Sequence, residues 1–229
     1  MKRILPWILP LFRTALFILG GWLFVKITNQ SYADASKWWS PFCIIYNLIT
    51  IFILFLVCRY EGITYKSLFH NGTEKLKFKS TFVFTLIMLA IGVGGMLGFS
   101  LLFYQGLPEF LIQPIPIWMA MINLFLLPIT IVFAELPLYF GYSLKGIIKN
   151  TGKPVLAIIY TVFFYALQHS FIPLLWDYKY MLFRFLSFLP LMVFLGIQYH
   201  KKNNLEQMMI GHGVMDLSTG MQVLLMSIL

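Results

Sequence analysis

Apolar residues in this chain come in long blocks rather than in the alternating or one-faced stripes of a soluble domain. Seven blocks stand out, roughly 5–27, 41–58, 81–104, 115–144, 154–175, 180–199 and 206–228. Each approaches or exceeds the ~20 residues that a helix needs to cross a bilayer. The pattern predicts an all-α, polytopic transmembrane bundle of about seven spans, with an eighth, re-entrant piece left open. The chain, 1–229, reads as one integral membrane domain. The fourth block is long and holds Pro128 and Pro137, so a kink or break is expected there.

Composition agrees with the pattern. Of 229 residues, 60% are hydrophobic and 11% are charged, against about 25% charged in a soluble domain. The net charge of +9 is explained by where the cations fall. Lys2 and Arg3, then Arg59, Lys66, Lys75, Lys77 and Lys79, then Lys145, Lys149 and Lys153, then Lys201 and Lys202 share one side of a seven-span arrangement. The other loops hold only Lys26, Lys37 and Lys179. The positive-inside rule then places the N-terminus in and the C-terminus out. Trp38, Trp39 and Trp176 fall at the predicted outer boundaries, as interfacial aromatics do. No basic-aromatic interleave of the kind that reads nucleic acid is present, so no nucleic-acid partner is expected.

Several short features are read blandly. MKRILPWILPLF resembles a signal peptide, but Arg13 interrupts it and no small-x-small cleavage site follows, so it reads as a retained first helix. Cys43 and Cys58 lie near opposite ends of one span and cannot bridge. The final MSIL carries no lipidation box. The sequons at Asn29 and Asn71 read as chance. Gly94-x-x-x-Gly98 reads as packing within the chain rather than a dimer contact. The oligomeric state is left open.

Candidate chemistry rests on ionisable residues inside the spans. Each costs about 2.5–3.5 kcal/mol at a helix centre and is a functional candidate by default. These are Glu135, His169, Arg184, His212 and Asp216. Arg13 is placed near the cytoplasmic end of the first helix, where it can snorkel, and Arg184 is expected to snorkel outward. Glu135 lies two residues before Pro137, which cannot bond the Phe133 carbonyl, so a carboxylate stands beside a kink whose freed carbonyl needs another partner. Taken alone, Glu135 is equally a structural acid, and His169 is more simply a packed hydrogen-bonder. His212 and Asp216, in GHGVMD, are one helical turn apart, so the carboxylate can orient the imidazole or the two can be a packing pair. Converging from separate helices, an acid and two histidines can act as general base on a water and steady a tetrahedral oxyanion. A divalent metal on Glu135, His169 and His212 is also left open, although the spacing lacks HExxH.

The order Glu, His, His-x-x-x-Asp on late helices resembles the CPBP intramembrane proteases, the CAAX prenyl endopeptidase and bacteriocin-processing (Abi) family. Its motifs are Glu-Glu-x-x-x-Arg, Phe-x-x-x-His and His-x-x-x-Asn/Asp. The resemblance covers about residues 115–229. In ELPLYFGYS, Glu135 takes the first Glu, while Leu136 stands for the second Glu and Phe140 for the Arg. Tyr165-x-x-x-His169 carries Tyr for Phe, and His212-x-x-x-Asp216 is intact.

The resemblance implies an intramembrane endopeptidase of a bacterial plasma membrane, acting on hydrophobic or membrane-associated peptide substrates. In it Glu135 and His169 would activate water, and His212 and Asp216 would hold the oxyanion and the site. An ionised carboxylate cannot donate to an oxyanion, so Asp216 is better placed to orient His212. The apolar Leu136 and Phe140 keep a second class in view, a catalytically silent membrane scaffold or regulator. A proton-coupled transporter is a third, since intramembrane acids and histidines also mark proton relays.

Overall fold

The structure is a computed structural model and describes residues 2–70, 76–108 and 112–229; Asn71 and Lys75 lie outside the described residues. It is helical, with no strand among the described residues. The helices are α1 (Leu5–Thr28), α2 (Tyr32–Ser36), α3 (Trp39–Glu61), α4 (Phe78–Tyr104), α5 (Ile117–Leu136), α6 (Lys145–Thr151), α7 (Pro154–His169), α8 (Tyr178–Lys202) and α9 (Leu205–Ile228). A π-helical segment, Pro137–Leu144, joins α5 to α6, and a 3₁₀ turn, Tyr65–Leu68, lies between α3 and α4.

Five stretches are long and apolar enough to cross a membrane: α1, α3, α4, the continuous run Ile117–Thr151, and α8. The block expected over 154–175 is the shorter helix α7. The block expected over 206–228 is α9, which has the length of a span but is not among the five. The distribution of polarity is inverted relative to a soluble domain. Phe52, Phe82, Leu102 and Phe125 face outward, while Arg13, Asn47, Glu135, Gln168, His169 and His212 are buried. Apolar exteriors and paired polar interiors are what a hydrocarbon solvent imposes. The protein is a membrane protein.

α5 is the central element, packed against α3 on one side and α9 on the other; α4 contacts α8 and α9, and α7 lies on α8. α1 crosses α7 and the π-helical segment. Its buried residues Pro6, Leu9, Pro10, Arg13, Thr14 and Phe17 recur at three- and four-residue intervals, so they form one stripe.

Of the kink or break expected in the fourth block, no break occurs at Pro137. The run stays helical through Thr151, and the missing proline donor is absorbed by a change to π-helical winding. π segments of this kind recur at functional sites. The Phe133 carbonyl accepts a hydrogen bond from the Tyr65 hydroxyl. The turn carrying Tyr65 therefore tucks into the bundle, with Leu68 buried. Gly141 permits this approach. A Cβ there would lie 2.4 Å from the Leu68 carbonyl oxygen, a backbone atom with little room to yield.

Two packing expectations are corrected. Gly94 and Gly98 face open space, so they make no packing contact within the chain. The close approaches of α4 are made by neighbouring glycines: Gly95 lies over the Ser187 carbonyl and Gly92 against Met215. Arg184 does not snorkel outward. It is buried, and its guanidinium donates to the carbonyls of His169 (3.4 Å) and Ile172 (3.1 Å) beyond the end of α7. α7 stops at His169, before the predicted 175; past its end the Ile172 carbonyl also accepts from the Tyr180 hydroxyl, at 2.8 Å. The Ile172–Pro173 peptide that follows is cis. Cys43 and Cys58 are buried and free.

Candidate active site

The site is built where α1, α3, α5, α7 and α9 meet. Glu135, one residue before the end of α5, is 2% exposed. Its Oε1 accepts from Arg13 Nη2 at 2.8 Å and from Gln168 Nε2 at 2.9 Å. Two donors on one oxygen fix the carboxylate plane and leave Oε2 directed elsewhere. Glu135 Oε2 is buried and has no protein hydrogen-bond partner. It lies 3.8 Å from His212 Nε2.

Arg13 corrects the expectation of snorkelling. It is fully buried, and each nitrogen of its guanidinium donates at least one hydrogen bond. Nε donates to Gln168 Oε1, Nη1 to Thr50 Oγ1, and Nη2 to Asn47 Oδ1 as well as to Glu135, with the first three at 2.7 Å. Gln168 Oε1 also accepts from the Tyr139 hydroxyl, at 2.9 Å. The physical reason is its place on the buried stripe of α1: the side chain points into the bundle, where ion pairing and hydrogen bonds offset the desolvation. The polar positions Asn47 and Thr50, three apart in an otherwise apolar span, were the sequence signal of this network.

His212 and Asp216 lie on one face of α9. His212 Nδ1 is 2.6 Å from Asp216 Oδ2. A carboxylate there can only accept, so Nδ1 donates. His212 Nε2 is hydrogen-bonded to the Tyr165 hydroxyl at 2.9 Å. A line of three groups, hydroxyl, imidazole and carboxylate, therefore runs from α7 into α9. Tyr165 is fully buried, stacked on Tyr139 with ring centres 4.3 Å apart. The Asp216 side chain is 15% exposed, so the line reaches toward the surface at that end.

His169 approaches from the last residue of α7. Its ring stacks on Phe188, with 3.7 Å between centres, and lies beside Tyr165 at 6.0 Å. His169 Nε2 is buried without a protein hydrogen-bond partner. Glu135 and His212 thus come together directly, His212 and Asp216 are bonded, and His169 flanks them across Tyr165. Leu136 and Phe140 are wholly buried; Phe140 packs edge-on to Tyr165 and against Tyr199, both at 5.7 Å. Among the described residues, no group of three His, Cys, Asp or Glu side chains is arranged to hold a metal ion. Within the set Glu135, His169 and His212, Arg13 and Gln168 hold one carboxylate oxygen and Tyr165 is bonded to His212 Nε2.

Residues 113–218 match the family model described as Rce1-like, type II CAAX prenyl endopeptidase Rce1-like. The match covers the stretch that carries the CPBP-like motifs. No curated protein and no solved structure shows a significant match to the chain. The matched stretch is somewhat less than half of the chain, and it contains Glu135, His169, His212 and Asp216. Arg13, Asn47 and Thr50 lie outside it, so the cation that meets Glu135 comes from a part of the chain beyond the matched region.

Proposed function

We propose that the protein is an intramembrane endopeptidase that hydrolyses peptide bonds of hydrophobic or membrane-associated substrates through a water activated by Glu135 and His169. The observation that carries this is the pair of buried, unpartnered acceptor atoms, Glu135 Oε2 and His169 Nε2, beside the Tyr165–His212–Asp216 line. Buried polar atoms are almost always satisfied, and exceptions call for a water, an ion or a catalytic role.

In this mechanism the water oxygen attacks the scissile carbonyl carbon while its proton passes to Glu135 Oε2, with His169 Nε2 accepting from the water's other hydrogen. Arg13 and Gln168 hold the opposite oxygen, so the basic oxygen keeps one orientation. The carbonyl oxygen becomes an oxyanion and needs a donor. His212 spends its Nδ1–H on Asp216, and in the protonated ring its Nε2–H is given to the Tyr165 oxygen, so the Tyr165 hydroxyl keeps its own proton for the oxyanion. Collapse breaks the C–N bond, and the proton held on Glu135 goes to the leaving amine.

The departures at Leu136 and Phe140 motivated a silent scaffold. Arg13 weakens that motive, because Glu135 keeps a cationic partner although Phe140 stands where the motif has Arg. The reading places the enzyme in a bacterial plasma membrane, with the N-terminus and the basic loops inside. The test is cleavage of a hydrophobic peptide by the full chain in liposomes. Wild type turns over and His169→Ala does not; equal turnover by the two would overturn the assignment.

A further inference from the structure

A cavity of about 470 Å³ opens between α4 and α8, at the end where α4 begins and α8 finishes. Lys77 and Lys79 stand on one side of its rim and Lys202 on the other. Ser80 and Gln198 add polar groups, and among the described residues no acid lines it. Below the rim the walls turn apolar: Val83, Phe84, Ile87 and Phe194, with the Phe84 and Phe194 rings stacked at 5.6 Å between centres. Val83 and Ile87 are exposed on the outer face of α4. The cavity is thus open along its apolar length as well as at its charged end.

That order of chemistry, ammonium groups at the membrane end and an apolar slot running into the bilayer, matches one kind of molecule. We propose that this cavity binds an anionic phospholipid of the bilayer, its phosphate among Lys77, Lys79 and Lys202 and one acyl chain against Phe84, Phe194, Val83 and Ile87. The three cations at the rim repel one another, and a phosphate between them relieves that repulsion. Lysine suits the task because its apolar stem lies along the groove while its ammonium stays at the interface. Basic pockets between membrane helices are established sites for anionic headgroups. The site is separate from the groups around Glu135 and stands whether or not the protein is a peptidase.

The test uses purified full-length protein in detergent, titrated with phosphatidylglycerol and with phosphatidylcholine of the same chains, and bound lipid counted by native mass spectrometry. Wild type should prefer phosphatidylglycerol. Lys77→Gln, Lys79→Gln and Lys202→Gln should each lower that preference roughly fivefold, and Lys149→Gln with Lys153→Gln should leave it unchanged. Val83→Trp, which fills the slot and keeps every lysine, should abolish tight binding. Glycerol 3-phosphate, a headgroup without chains, should not compete. An unchanged preference in the lysine variants, full binding by Val83→Trp, or competition by glycerol 3-phosphate equal to that of the lipid would each overturn the proposal.

Discussion

Arg13 on the first helix and Glu135 on the fifth lie 122 residues apart in sequence and 2.8 Å apart in space. Both are buried, so neither can shed its partner to water. Removing one member of such a pair costs about 3–5 kcal/mol, because a charge is left in a poor solvent. Arg13→Met should therefore lower the unfolding temperature sharply and abolish turnover. Arg13→Met combined with Glu135→Leu removes both charges, and should regain most of the lost stability without regaining turnover. Thermal unfolding in detergent alongside a peptide cleavage assay reads both effects. A double variant no more stable than the single would show that the pair is not the source of the loss.

Tyr165→Phe removes one oxygen and leaves the stack on Tyr139 in place. The fold should persist with unchanged unfolding temperature to within a few degrees. If the hydroxyl stabilises the oxyanion, turnover should fall by about 10²–10³, the range for losing one such donor, with little change in KM. A proportionate rise in KM at constant kcat would place the hydroxyl in substrate binding instead.

Asp216 accepts from His212 Nδ1 at 2.6 Å, and an amide oxygen can do the same. Asp216→Asn should retain turnover within about tenfold, whereas Asp216→Leu leaves Nδ1 without an acceptor and should lose about 10² or more. Equal losses in the two variants would mean that the negative charge, rather than the positioning of the ring, is what matters.

Gly141 marks where the turn at Tyr65–Leu68 meets the π-helical segment. A methyl group there meets a backbone carbonyl at 2.4 Å. Overpacking of this kind costs about 1–3 kcal/mol. Gly141→Ala should lower the unfolding temperature and make the turn around Leu68 more open to proteolysis. Wild-type stability and protection in this variant would contradict the close contact.

Much of this was legible beforehand. Glu135, His169, His212 and Asp216 stood out because charge is rare in apolar blocks, and the orphaned Phe133 carbonyl followed from Pro137 alone. The partner of that carbonyl did not, since Tyr65 lies in a polar loop and reaches it only because Gly141 lets the turn approach. Arg13 was misplaced for a similar reason. Distance along the first helix suggested the interface, but its rotation about the axis, shared with Leu9 and Phe17, points it inward. Hydropathy records depth and not azimuth. Gln168 was passed over because an uncharged amide beside His169 carries no signal until its two neighbours, Arg13 and Glu135, are known. Of the kink or break expected there, Pro137 makes no break, because π-helical winding takes up a missing donor without ending the helix.

The central claim is that Glu135 Oε2 takes the proton of the attacking water. Glu135→Gln tests it most directly, since the amide keeps an oxygen for Arg13 and Gln168 to bond while removing the base. With the full chain in liposomes and a hydrophobic peptide substrate, single-turnover cleavage should fall by about 10²–10⁴ while the protein still elutes as a folded species. Cleavage by Glu135→Gln at the wild-type rate would contradict the account.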